Sequence, residues 1–537
     1  MHPKSSESEI QKKLIVTFLI LGCAIRLFHF FYNRSLWMDE VYLSTSFVKM
    51  NFQDLISKPL FYQQKAPIGF LIAVKLIVNI FGYKEFFLRL IPLIAGLTAM
   101  FVFVPVVKYF LNGLGSALAI GIICLAPAMI YHSVEIKQYS TELLGTVLCL
   151  YLFIKFQNQK DFKSLMMWGV SGAVILWFSY SSIFILAAIA ISIFCKLLFS
   201  GKIKPAMVTA FPFLIWFISF TINFLLFTHK HVESEWIVQW FRAYRNFVPF
   251  PPKSIADLQW FPINLYRMMD YPIGLLWNFN NIQSNKPLVI AAKMPFLPIL
   301  FLIAGIYQSI KRKRTYTSIF ILAITLTFIA SGLELYPLTE RFWLFIAPVF
   351  VVFIGEGFNA GAQKFKNPSI KYFLFSLVIF GPIFQAIAST AEPQSFYANK
   401  KSYEKEVLLY VSKNYKAGDA VYVYWNNLPG YRLYQQIYPL KYTAIEGSDQ
   451  RFKAKNYDDY YERLKPDFDK FKDNKRVWLI FNTQFSTDIG DKIGEPKWYY
   501  DKGTHPTANL ILEFRKKYDV VKKYETKDVT AYLFSTP

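Results

Sequence analysis

The chain alternates long apolar blocks with short polar segments. Apolar runs cover Leu14–Phe31, Phe86–Phe110, Leu114–Tyr131, Tyr139–Phe156, Leu165–Tyr180, Ile183–Phe199, Pro205–Phe227, Pro287–Ile310, Thr317–Tyr336, Phe342–Phe358 and Tyr372–Ser389. Most are roughly 18–25 residues long, about what a helix needs to cross a bilayer core. The pattern predicts an all-α polytopic bundle of about eleven transmembrane helices, since backbone polar groups in lipid must be satisfied within the segment. The short alternating strands of a membrane barrel are not seen. A further run, Pro67–Phe81, is apolar over only about 15 residues and reads as an interfacial or re-entrant helix. From about Glu392 the pattern changes. Helical periods at Tyr403–Tyr415, Tyr460–Phe471 and Asn509–Tyr518 alternate with strand-like runs at Ala420–Tyr424, Arg476–Phe481 and Val529–Ser535. This predicts a membrane domain over 1–391, with long outer segments at 33–85 and 228–286, and an extracytoplasmic α/β domain over 392–537.

Composition agrees: 54% of the 537 residues are hydrophobic and 19% aromatic. The net charge of +23 raises nucleic acid as a partner. Loop charge explains it better, and no nucleic-acid partner is expected. With the N-terminus (Lys4, Lys12, Lys13) in the cytoplasm, alternate loops should be basic. They are, at Lys155, Lys160 and Lys163, at Lys196, Lys202 and Lys204, at Lys311–Arg314, and at Lys364, Lys366 and Lys371. The agreement requires that Pro67–Phe81 does not cross, which makes the count odd and puts the C-terminal domain outside. All four cysteines lie in or beside apolar runs, so no disulfide framework or zinc cluster is expected in the soluble parts. The first run has no small-residue cleavage site and reads as a retained helix.

Candidate chemistry concentrates at predicted outer ends. Ser35-Leu36-Trp37-Met38-Asp39-Glu40 follows the first run. Adjacent carboxylates at a membrane surface are costly, and one can act as a base or bind a metal while the other orients it. A solvated acid pair is the competing reading. Arg26 and His29 share a face inside the first run, either toward the protein interior or with Arg26 snorkelling outward. The short second outer loop carries His132, Glu135 and Lys137; Glu135 is a second candidate acid, and a plain polar turn is the alternative. Lys65, Arg89, Lys137 and Arg341 stand at predicted outer ends. Each alone suits an interface anchor, but together they suit a phosphate, which arginine binds bidentately. No glycine-rich phosphate loop, HExxH or GxSxG is present, so nucleotide hydrolysis and standard serine or zinc hydrolysis have no support.

In order, these features resemble the bacterial relatives of protein O-mannosyltransferases and aminoarabinose transferases, in glycosyltransferase family 39 and its neighbours, which share the GT-C membrane fold. The resemblance rests on an Arg in the first helix followed by Trp37-x-Asp39-Glu40, and on Phe86-Phe87-Leu88-Arg89-Leu90-Ile91-Pro92 against an Arg-Leu-Pro-Ser segment. It rests also on Glu135-Ile136-Lys137-Gln138-Tyr139 and on Glu340-Arg341 before a helix with Pro348. It covers roughly the first 390 residues, and less distinctly the tail. It implies a donor sugar on a polyprenyl phosphate and an acceptor hydroxyl on protein, lipid or glycan. It implies Asp39 as base in an inverting displacement, and Lys65, Arg89, Lys137 and Arg341 as holders of the departing lipid phosphate. Glu40, Glu135 and His132 would orient the base or bind a divalent metal, and no organic cofactor is implied. The location would be the bacterial inner or plasma membrane. Three positions depart from the pattern. Gln64 replaces an acid that ligates metal in some relatives, Ala66 replaces a Pro, and Lys137 stands where Arg is common.

Two other functions compete. A transporter or flippase of an anionic lipid or glycan would favour paired half-repeats and helices broken at mid-membrane, whereas the polar residues here gather at outer ends. An interaction protein would not need eleven spans as an anchor.

Overall fold

Each apolar run contains a helix in the computed structural model, which describes residues 3–228, 235–277, 295–397, 401–484, 496–500 and 506–537. Among the described residues, six helices are long and apolar enough to cross a membrane by length and composition: Ser8–Tyr32, Leu90–Phe110, Tyr139–Phe156, Ser182–Phe199, Ile203–Phe227 and Pro368–Ala391. Shorter apolar helices lie at Ile68–Phe81, Gly113–Leu125, Phe162–Phe178, Phe296–Lys311, Tyr316–Gly332 and Ala347–Ala362. The first part of the run Pro287–Ile310, residues 287–294, lies outside the described residues.

Two prolines move helix boundaries away from their expected places. The run Leu114–Tyr131 is broken at Ala126, where Pro127 opens a new short helix, Pro127–His132. Proline has no N–H for the carbonyl four residues back, and its ring clashes there. The run Phe342–Phe358 begins at the end of a 3₁₀ turn, Glu340–Trp343, and becomes an α-helix only from Ala347, because Pro348 is accommodated in a first turn and not in an interior.

The chain forms two compact units. One holds Met1–Tyr32, Lys65–Ile77 and Phe86–Phe396; the other holds Asn33–Gln64, Val78–Glu85 and Tyr397–Pro537. The second is therefore larger than the tail 392–537, because it also takes in most of the first outer segment.

In the first unit, Gly113–Leu125 and Ala347–Ala362 are buried on nearly every side, as apolar helices at a bundle centre are. Phe296–Lys311 instead exposes Phe296, Leu300, Ile303, Tyr307 and Ile310, a stripe at helical spacing. Ile203–Asn223 exposes Ile203, Met207, Leu214, Phe217 and Ile222. Such contiguous apolar surface is unfavourable in water and suited to lipid, so this is a multi-pass membrane bundle. Its tightest crossing joins Phe296–Lys311 to Ala347–Ala362. A Cβ on Gly357 would strike the backbone of Phe301, and one on Gly305 the backbone of Phe353. Small residues at such crossings let helix backbones meet. Gly357→Val should lower stability by about 3 kcal/mol or more, since backbone atoms cannot yield as a side-chain tip can. A wild-type melting curve for this variant in detergent would refute the crossing.

In the second unit, five strands among the described residues form a mixed sheet. They are β1 (Ala420–Val423), β2 (Ile445–Glu446), β3 (Arg476–Asn482), β4 (Asp519–Glu525) and β5 (Val529–Ser535), in the order β2-β1-β3-β5-β4. β1 runs parallel to β2 and β3, with Ala420 opposite Val477; β5 runs antiparallel to β3 and β4, with Val477 opposite Phe534. β1 and all of β3 after Arg476 are buried, as expected of strands covered on both faces. β4 is an exposed edge carrying Lys522 and Lys523, charges that discourage further pairing. Helix Met38–Lys49 packs on Leu428–Ile437 within this unit.

A buried carboxyl supports that second helix. Glu404 is 3% exposed and lies where Gly430 leaves room for it. Burial, then the neighbouring Asp528, pushes its carboxyl well above the usual carboxylate range, although it accepts a bond from the Tyr431 amide. The folded state thus keeps a proton that the unfolded chain releases. Stability falls as pH rises from about 4.5 through the raised folded value. Glu404→Gln should match wild type near pH 4 and melt higher at pH 8. An equal melting temperature at both pH values would contradict the assignment.

Candidate active site

The break at Pro127 builds one end of the first unit's site. Arg26 lies inside the bundle at 1% exposure, which settles its position against snorkelling. Its Nη1 donates to Cys124 O at 2.6 Å and to Gly22 O at 3.1 Å, and its Nη2 to Ile123 O at 3.2 Å. Ile123 O is the carbonyl that Pro127 cannot serve. A guanidinium at this helix end also meets the negative pole of the helix dipole. Arg26 therefore closes the broken helix. His29, one turn on, pairs with Ser389 Oγ at 2.9 Å and stacks on Phe396.

Beyond the break, the loop between Pro127–His132 and Tyr139–Phe156 carries the polar cluster. His132 and Glu135 are fully buried. His132 Nδ1 and Glu135 Oε2 are 2.5 Å apart, and His132 Nε2 is hydrogen-bonded to the Tyr271 hydroxyl. With its hydrogen on Nδ1, the ring donates to Glu135 and accepts from Tyr271, which fixes the imidazole at both edges. The ring also lies edge-on to Tyr139, with centroids 4.9 Å apart. The Arg341 guanidinium sits 5.5 Å from the centre of the Tyr139 ring and 5.8 Å from that of Phe342, within cation–π range. Tyr139 thus links the second outer loop to Arg341. Lys137, in the same loop, is 5% exposed.

One turn into the next helix, Glu142 is buried and accepts from the Ser181 hydroxyl and, at 3.2 Å, from the Ser181 amide. The neighbouring Tyr180 hydroxyl donates to Ala66 O at 3.2 Å. Gly69 lets helix Ile68–Phe81 approach Trp177 and Phe178. Lys65 is held beside these contacts, half-buried. Burial lowers its ammonium below the usual lysine range, and among the described residues no carboxylate is in ion-pair distance of it. Arg89, 1% exposed, stands immediately before the first residue of Leu90–Phe110, without capping it through its side chain. A half-buried cation without a carboxylate is suited to an anionic ligand.

Asp39 and Glu40 belong to the second unit, apart from these cations in the division of the chain. They open helix Met38–Lys49, where the positive pole of the helix favours negative charge. Their environments differ. Glu40 is fully buried; its Oε2 accepts from Arg34 Nη1 at 2.6 Å and from the Trp37 amide at 3.3 Å, which closes a capping box. Asp39 is half-buried.

These contacts bear on the divalent metal. Among the described residues, no group of three or more His, Cys, Asp or Glu side chains is placed to hold an ion. Glu135 and His132 are paired with each other, and Glu40 with Arg34, so the expected ligands do not fit a metal here and no step is derived through one.

Several residues of the cluster were not anticipated from the sequence. Glu142 had a signal, an acid within an apolar run. Arg34 had a weaker one, six residues from Glu40. Tyr271 had none, being 139 residues from His132.

No protein-family model matches the chain, and no curated protein matches it significantly. Solved structures do match. ArnT from Cupriavidus metallidurans bound to undecaprenyl phosphate superposes with a TM-score of 0.54 at 11% identity, covering 96% of this chain and 98% of that one. ArnT in the apo state gives 0.51 at 10% identity, with the same coverage. The Archaeoglobus fulgidus oligosaccharyltransferase, in complex with Zn and sulfate, gives 0.45 at 12% identity over 96% of this chain and 72% of that one. The ArnT likeness shows the fold, and it extends through the tail as well as the first 390 residues.

Proposed function

We propose that this chain, which has the GT-C membrane fold of ArnT, is a glycosyltransferase. In this reading it moves a sugar from a polyprenyl phosphate to an acceptor hydroxyl at the outer face of the bacterial cell membrane. The observation that carries the reading is the ArnT fold over 96% of the chain. Half-buried Lys65, with no carboxylate in ion-pair distance among the described residues, adds to it. The bundle is read with about eleven spans, the N-terminus in the cytoplasm and the C-terminal domain outside.

The proposed chemistry is an inverting displacement. Asp39 takes the proton of the acceptor hydroxyl as its oxygen attacks the anomeric carbon. The bond from that carbon to the phosphate oxygen breaks, and its electron pair leaves with the lipid phosphate. Lys65, Arg89, Lys137 and Arg341 are assigned to that phosphate, where cations stabilise charge as it develops. Glu40, Glu135 and His132 are assigned orienting roles, Glu40 through Arg34 and the helix cap, His132 through Tyr139 and Tyr271. Arg26 is assigned to the fold.

The test is transfer in liposomes. Purified protein is given undecaprenyl phosphate carrying labelled hexoses or aminopentoses, with a membrane extract as acceptor pool. Transfer of one labelled sugar is expected. Movement of the lipid across the bilayer without transfer would replace this reading with a flippase.

A further inference from the structure

We infer that the tail's helix Leu428–Ile437 sets the position of the Asp39 segment, and that Tyr434 is a positioning residue for the transfer reaction. This rests on Asp39 being the base. Tyr434 is 1% exposed, and its hydroxyl accepts from the Leu36 amide at 2.7 Å and pairs with Ser35 Oγ at 3.1 Å. Ser35 Oγ also accepts from the Lys405 amide at 3.1 Å. Lys405 Nζ donates to Asn33 O at 2.8 Å and pairs with Glu85 at 3.2 Å. The Tyr438 hydroxyl donates to the same Glu85 carboxylate at 2.8 Å. All of these residues belong to the second unit.

Residues 33, 35 and 36 are therefore fixed by side chains or amides of the tail. Trp37 follows at once and opens the helix whose first turn contains Asp39. That turn is stiff: the Glu40 and Val41 amides donate to Trp37 O at 2.9 and 3.0 Å, and Glu40 closes the cap from the other side. A shift at Leu36 passes through a rigid turn to Asp39. Leu36 is wholly buried, so its amide cannot turn to water when the tyrosine hydroxyl is removed. It must move or remain unsatisfied. Misplacement of a reacting group by about 1 Å can reduce rate by about a hundredfold.

The experiment uses the full chain in liposomes and four proteins: wild type, Tyr434→Phe, Asp39→Asn and Tyr422→Phe. Tyr422 is the control, because it is equally buried in the same sheet unit and its hydroxyl has no hydrogen-bond partner among the described residues. For Tyr434→Phe the expected result is a kcat about 30- to 100-fold below wild type. Its Kd for undecaprenyl phosphate should stay within about twofold of wild type. Tyr422→Phe should match wild type in both. Amide hydrogen exchange over residues 36–41 should quicken in Tyr434→Phe and remain unchanged over 113–125. Wild-type kcat and exchange in Tyr434→Phe, with Asp39→Asn inactive, would overturn the positioning role and leave the base in place. Wild-type transfer by Asp39→Asn would overturn both. An equal fall in kcat for Tyr434→Phe and Tyr422→Phe would reduce the effect to general loss of the tail's packing and overturn the inference.

Discussion

Asp39→Asn should leave the protein folded and membrane-inserted, with donor binding unchanged and sugar transfer reduced by about 10²–10⁴-fold, the range expected when a general base is lost. Asparagine has nearly the same shape and keeps one acceptor oxygen, but it cannot take a proton at neutral pH. Glu40 cannot stand in for it. Its carboxylate is buried and already engaged with Arg34 and the Trp37 amide. The two neighbouring acids should therefore give different defects. Asp39→Asn should affect kcat alone, whereas Glu40→Gln should loosen the helix start and leave Arg34 poorly paired, which lowers thermal stability. The readout is labelled-sugar transfer in liposomes, with undecaprenyl phosphate affinity measured in parallel. Wild-type turnover by Asp39→Asn would sink the assignment of the base.

Lys65→Met should separate stability from activity. Burial disfavours the ammonium, so the folded state holds its proton less tightly than the unfolded chain does. That costs stability below the ordinary lysine range, and stability recovers as pH rises toward it. Methionine keeps the stem and removes the charge. At pH 7 the variant should melt at or above the wild-type temperature, with the difference shrinking at high pH. Its affinity for undecaprenyl phosphate should fall about 10- to 100-fold, the loss expected for charge-assisted hydrogen bonds to a phosphate. A variant that is both less stable and unchanged in affinity would show Lys65 to be an ordinary packing residue.

Much of the architecture was legible because it is written in local patterns. A membrane helix carries its own hydrogen bonds, so an apolar run names it directly. β1, β3 and β5 were readable as short runs bounded by polar turns. β4 was not, because its sequence, Asp519-Val520-Val521-Lys522-Lys523-Tyr524-Glu525, is that of an exposed edge and its apolar positions do not alternate. Helix ends were displaced at Pro127 and Pro348, whereas Pro105, Pro212 and Pro382 lie inside helices that run through them. The candidate site was legible only in part. Its acids and cations stood out as charges beside apolar runs, but partners distant in sequence did not. Tyr271, Ser181 and Tyr434 are ordinary residues until the fold brings them to His132, Glu142 and Leu36. The division of the chain also departed from sequence order, since 33–64 belongs with a sheet made hundreds of residues later.

That last feature has a consequence for biosynthesis. Ser35 and Tyr434 are separated by 399 residues, and ribosomes add about 5–20 residues per second. The Asp39 segment therefore emerges about 20–80 seconds before the tyrosine that fixes it exists. Through that interval the membrane helices can insert while residues 33, 35 and 36 lack their partners from the tail. The Asp39 segment is among the last parts of the molecule to reach its final form, and a nascent chain arrested before the tail holds a bundle without its completed second unit.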